Sequence, residues 1–184
     1  MQLRPLLAIA TALGLTACGT AATPQNAVSS HPSAPASIST AAWVDFAWPE
    51  AGFAVKLPVQ PRKATQSTTL GSIKITLNIA AAKKAAHQGV LVADAHFSET
   101  MPSSAAPSEL RSSIYSFAGS SGATIKSGNA TTFRGRQAYD AILVAPGGLQ
   151  FELLGFLKDP RDEIMVFAPK GALFLAVTNS LRLL

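Results

Sequence analysis

An α+β fold, an antiparallel β-sheet flanked by helices, is what the sequence predicts, and three observations carry that expectation. Apolar residues alternate with polar ones in several runs, the signature of half-buried strands. Helical spacing occurs at two separate points, after Pro107 and near the end of the chain. Short turns rich in Gly, Pro and Asp join successive strands in the last third, which favours antiparallel neighbours over long crossovers.

The chain opens on an address. Leu6–Leu15 is an apolar stretch of about ten residues, the length of a signal-peptide core and too short to cross ~30 Å of hydrocarbon. Leu15-Thr16-Ala17-Cys18 follows, ending in the only cysteine of the chain. It resembles a bacterial lipobox. The resemblance implies cleavage before Cys18 and acylation, palmitate included, of its thiol and new amino terminus. A lone thiol in an exported chain would be odd, and lipidation removes the oddity. One acyl chain holds a protein to a membrane only marginally, and two or more hold it firmly. Gly19 stands where an Asp would retain many such proteins at the inner membrane. The expected location is therefore the cell envelope, at the outer membrane facing the periplasm in a Gram-negative cell.

Residues 1–17 are thus read as the leader and 18–42 as the lipidated cysteine with a tether. From Gly19 to Ala42 there is no Lys, Arg, Asp or Glu, and Pro24, Pro32 and Pro35 disfavour a helix. As a flexible chain this segment spans roughly 25–30 Å. His31 within it is read as inert.

Residues 43–184 are read as one α+β domain, long enough for a single core. Phe53, Val55 and Leu57 alternate with Ala54 and Lys56, and Pro58 ends that strand. Ile73, Ile75, Leu77 and Ile79 alternate with Lys74, Thr76 and Asn78. Val90–Phe97 follows, with Leu91, Ala93, Ala95 and Phe97 on one face and Val92, Asp94 and His96 on the other. Leu110, Ile114 and Phe117 share one face of a helix, with Ser104 or Ser108 expected at its start and Gly119 or Gly122 at its end. Thr124–Phe133 reads as a strand interrupted at Ser127-Gly128-Asn129. A meander follows: Gln137–Val144, a turn at Pro146-Gly147-Gly148, Leu149–Leu157, a turn at Asp159-Pro160-Arg161-Asp162, and Ile164–Phe167. The last helix, Ala172–Ser180, is apolar around most of its circumference and is expected to be mostly buried.

Two stretches carry a second resemblance. Gly52-Phe53-Ala54-Val55-Lys56-Leu57-Pro58-Val59-Gln60-Pro61 is similar to the GF-x-V-x-x-P-x-x-P opening of many small secreted bacterial domains. Asn179-Ser180-Leu181-Arg182-Leu183 resembles their closing segment, with Leu181 in place of the usual Phe. Together they resemble the PsbP-like family, whose members include extrinsic photosystem subunits, a GTPase-binding factor and bacterial lipoproteins. The resemblance implies an α/β/α sandwich and a binding or accessory role rather than catalysis.

Composition narrows the chemistry. The chain of 184 residues is 48% hydrophobic but 14% charged, against roughly 25% charged in an ordinary domain, so charge-driven disorder is excluded. A single cysteine excludes an internal disulfide and a cysteine-based zinc site. Losing Arg4 with the leader lowers the formal charge from +5 to +4, and no basic run supports nucleic-acid binding. Asp94 and His96 sit at i, i+2 with Glu99 beyond, an arrangement that a metal or a proton transfer could use if His87 folded back. Its ordinary reading is a solvent-facing strand carrying an Asp–His contact. Gly119-Ser120-Ser121-Gly122 is a helix-ending loop, not a nucleophile elbow. Pro146-Gly147-Gly148 lacks the Lys-Ser/Thr of a phosphate loop. Glu152 has no evident mate, and the sequon at Asn129 is not expected to be used behind a lipobox.

Trp43, Phe46 and Trp48 lie where the tether meets the domain and would suit either core packing or a binding surface. Arg134 and Arg136, with Lys126 nearby, would suit a small basic patch or a solvated loop. Trp43, Phe46, Trp48, Arg134 and Arg136 make up the candidate interaction surface. No catalytic residue, cofactor or metal is expected. The expected partners are the membrane, through acyl chains on Cys18, and an envelope protein; the alternative is carriage of a small apolar ligand or lipid.

Overall fold

The computed structural model describes residues 38–85 and 88–184. Leu15–Cys18, the stretch that resembles a lipobox, and also His31 and His87 lie outside the described residues.

The elements run β1 (Val44–Trp48), a 3-10 turn at Pro49–Ala51, β2 (Phe53–Leu57), β3 (Arg62–Leu70), β4 (Ile73–Lys83), β5 (Gly89–Phe97), α1 (Ala106–Ser120), β6 (Thr124–Phe133), β7 (Arg136–Val144), β8 (Gln150–Asp159), β9 (Asp162–Pro169), α2 (Ala172–Ser180) and β10 (Arg182–Leu183). Seven strands form one antiparallel sheet in the order β3-β4-β5-β9-β8-β7-β6. A smaller sheet of three, β1-β2-β10, lies against one of its faces together with α2. The opposite face is covered by α1. The predicted α+β class is the observed one.

Each face has its own core. Toward α1, Leu77, Leu91, Ala93, Ala95, Leu143, Leu153 and Met165 meet Leu110, Ile114 and Phe117. Toward the small sheet, Val92, Phe156, Ile164 and Val166 meet Phe46, Trp48, Phe53, Val55 and Leu57. The alternation read along residues 90–97 holds, but the face of Val92 and Asp94, read as solvent-facing, lines the second core because the small sheet covers it.

Local signals account for most termini. α1 ends where Ala123 N–H donates to the Ala118 carbonyl at 3.0 Å and Gly122 N–H to Gly119 at 3.3 Å, a Schellman closure. Its start differs from expectation. Ala105 occupies the cap position with no side-chain bond, and the Ser108 hydroxyl instead donates to the Ala105 carbonyl at 2.7 Å. The break expected at Ser127-Gly128-Asn129 is absent: β6 pairs regularly with β7 through it, and the register shifts just before, at a β-bulge between Ile125 and Ser127. Gly128 is needed there: a Cβ would stand 2.8 Å from Tyr139 Cε1, whose ring covers it from β7. α2 also departs from its expected burial. Val177 and Thr178 alone are fully buried, because only one edge of the helix reaches the core.

Candidate functional site around Lys158

The most concentrated polar chemistry among the described residues lies on the sheet face toward β1-β2-β10, at the end where β8 turns into β9. The β8–β9 ladder skips Lys158 between Leu157↔Glu163 and Asp159↔Asp162. Such a bulge re-aims a side chain, and Lys158 reaches across its neighbours. Its Nζ lies 3.1 Å from Asp162 Oδ2 and 3.5 Å from Asp94 Oδ1, and donates to the Ala51 carbonyl at 3.4 Å. The bulged carbonyl of Lys158 itself accepts from the Arg136 guanidinium.

Hydrogen bonds extend this centre over five strands. His96 Nδ1 contacts Asp162 Oδ1 at 2.5 Å. Asn78 Nδ2 donates to Asp94 Oδ2 at 3.2 Å, and Thr65 Oγ1 donates to Asn78 Oδ1 at 3.0 Å. The line Thr65–Asn78–Asp94–Lys158–Asp162–His96 thus crosses β3, β4, β5, β8 and β9.

Burial and charge set opposite directions for the two acids. Asp94 is only 2% exposed, and this burial pushes its carboxyl up despite the Asn78 hydrogen bond and the Lys158 charge. Burial also pushes Asp162 up, but hydrogen bonds with Asp159, His96 and Lys158 outweigh it and leave its carboxyl low. Asp94 Oδ1 has no directed hydrogen bond, so the ammonium 3.5 Å away compensates it by charge alone.

Asp94 therefore does not face solvent, nor does it touch His96 as the ordinary reading of Asp-x-His expects. Small-sheet packing buries it, and each residue has its own partner from β8 or β9. Glu99 turns aside, its Oε1 accepting from Ser72 Oγ at 2.9 Å. Among the described residues, no group of three or more His, Cys, Asp or Glu is placed to hold a metal ion. Lys158 occupies the position between the carboxylates that a cation would take.

The candidate surface residues are distributed differently. Phe46 and Trp48 are 7% and 5% exposed, their rings interlocked with Phe53 at centroid distances of 6.2–6.3 Å. Lys63 Nζ covers Trp48 4.2 Å from its centroid. They form core rather than a free surface, because alternation along β1 points both inward. Trp43 is half-buried against the same core. Arg134 is not a free basic group: its guanidinium donates to the carbonyls of Leu181, Asn179 and Thr178, closing the end of α2. Arg136 holds Lys158 as described. Glu152 Oε2 accepts from Gly171 N–H at 3.4 Å, before α2.

A second titratable group went unread in the sequence. Glu163 is fully buried under α1, where Ser113 Oγ donates to its Oε2 at 2.8 Å and its Oε1 has no partner. Burial, opposed by the Ser113 bond and reinforced by the Glu109 charge, pushes its carboxyl up to about 8. Its only sequence signal is its alternation with Met165 and Phe167, which puts it on the face of β9 turned to α1.

No protein-family model matches the chain, and no curated protein matches it in sequence. Among solved structures, the chain is similar to the solution structure of cyanobacterial PsbP (CyanoP) from Synechocystis sp. PCC 6803. The TM-score is 0.51 at 9% identity, covering 83% of this chain and 99% of that one. A likeness at this identity establishes architecture alone: the domain has the PsbP-like α+β fold.

Proposed function

We propose that this chain is a lipid-anchored, non-catalytic accessory protein of the bacterial cell envelope, whose PsbP-like domain binds an envelope protein. The observation that carries the reading is the joining of a lipobox, Leu15-Thr16-Ala17-Cys18, to a PsbP-like fold on one chain. The Lys158 cluster supports it: the groups compensate one another and tie the Ala51 turn to the large sheet, as a structural staple does. Both faces of the sheet are filled by the chain's own side chains, which favours interaction over carriage of an apolar ligand. The absence of Asp after Cys18 supports the outer membrane, facing the periplasm.

Cys18→Ser is the test of anchoring. The variant is expected to leave the membrane fraction in a carbonate wash and to lose labelling by a fatty-acid probe; retention would sink the lipobox reading. In-cell crosslinking of the acylated chain is expected to trap a discrete protein partner. A reproducible bound apolar mass in native mass spectrometry, lost on denaturation, would replace interaction with carriage.

A further inference from the structure

The outward stripe of α2 carries no charge. Ala172, Leu175, Ala176 and Asn179 follow one another at helical spacing on the side turned from the core. Leu175 is 47% exposed and Leu184, just beyond β10, is 64% exposed, while Leu173, Phe174 and Leu183 are half-buried against the core of this face. A solvent-facing helix normally carries polar and charged residues on this stripe. An exposed apolar group of this kind marks a contact with something else.

Charge and chain position identify the occupant. Residues 164–184 contain no Asp or Glu, and exposed Lys170 and Arg182 stand at the two ends of α2. An apolar helix face flanked by cations suits the interface of a membrane bearing anionic headgroups. The segment that carries Cys18 enters the fold on the same side. Residues 38–43 lead into β1, which shares the small sheet with β10, and Trp43, Leu173 and Leu183 lean on one core. Nineteen residues lie between Cys18 and Ile38, a reach of at most ~70 Å. Such tethering turns weak docking into an intramolecular event at an effective concentration of order mM.

The geometry points to α2, through Leu175 with Lys170 and Arg182, as a face that rests on the anionic lipid surface to which Cys18 anchors the chain. This rests on the lipid-anchor reading above. It leaves α1, on the opposite face of the large sheet, turned outward.

The test uses the acylated chain in vesicles of phosphatidylethanolamine and phosphatidylglycerol whose acyl chains include a brominated quencher. Leu175→Cys and Arg111→Cys, the latter on exposed α1, each carry a bimane on the new thiol. Bimane at 175 is expected to lose roughly half its emission or more, since docked faces sit ~5–10 Å into the interface; bimane at 111 is expected to lose none. Adding Lys170→Glu and Arg182→Glu to Leu175→Cys is expected to abolish the quenching. Equal emission at 175 and 111 in protein that floats with the vesicles overturns the docking face while leaving the anchor intact. Quenching that survives both charge reversals overturns the anionic-surface assignment. Failure to float overturns the anchor, and this proposal with it.

Discussion

Lys158 occupies the space that a side chain on Gly52 would need: a Cβ at Gly52 would stand 2.5 Å from Lys158 Nζ. Gly52 follows the Pro49–Ala51 turn with φ +68°, a left-handed conformation that glycine adopts without strain. The turn and the ammonium are therefore matched across the two sheets. Gly52→Ala is expected to destabilise the domain by about 1–3 kcal/mol, from strained backbone and a displaced lysine. Urea unfolding checks this. An unchanged midpoint would mean that the ammonium moves away freely.

Removing the ammonium attacks the same junction from the other side. Lys158→Met leaves Asp94 and Asp162 facing one another with little water. The expected loss at pH 7 is about 2–4 kcal/mol, since breaking a buried pair strands a charge. Acid should narrow the gap to wild type, because protonated carboxyls no longer need the lysine. Unfolding curves at neutral and mildly acidic pH read both effects, and a gap that widens in acid would contradict this account.

Glu163 makes the fold lose stability as pH rises from the acid range to about 8. Its folded carboxyl keeps a proton up to about pH 8, whereas the unfolded one loses it near ~4.3. Between those values the folded state binds more protons, so its stability falls as pH rises and levels off above about 8. Glu163→Gln keeps an acceptor for Ser113 and cannot ionise. It is expected to flatten that slope and to exceed wild type in stability at pH 8 by up to roughly 5 kcal/mol. Parallel pH profiles for the two proteins would show that Glu163 is not the group responsible.

Arg134 links the β6–β7 turn to the end of α2. It has φ +51° and closes three carbonyls of the last helical turn and the residue after it. Arg134→Ala is expected to cost about 1–2 kcal/mol through those lost bonds. Faster hydrogen exchange at Leu181 and Leu184, with α1 unchanged, would locate the loss at this contact; uniform exchange across the domain would not.

How far the sequence reached depended on contrast between neighbouring residues. β4 and β5 were legible because Ile75, Leu77 and Ile79, and then Leu91, Ala93 and Ala95, face one core while their neighbours face elsewhere. β3 was not, because Arg62–Leu70 is an edge strand exposed along almost its whole length. β6, the other edge, was legible only as an interrupted strand. In the candidate site, Asp94 and His96 drew notice through their spacing, but Lys158 and Asp162 were hidden in and beside an ordinary turn.

By itself the sequence determined the α+β class and most strand and helix positions, because each is written in residues near one another along the chain. Only the tertiary structure decided that Trp48 is core, that Arg134 closes a helix, that Glu163 is buried and that the stripe of α2 at Leu175 is left uncovered. Those outcomes depend on which surfaces meet across the sheets. Lys158 reaches Asp94 only because β9 brings β8 and β5 onto one face, and no local periodicity records a meeting between residues so far apart in the chain.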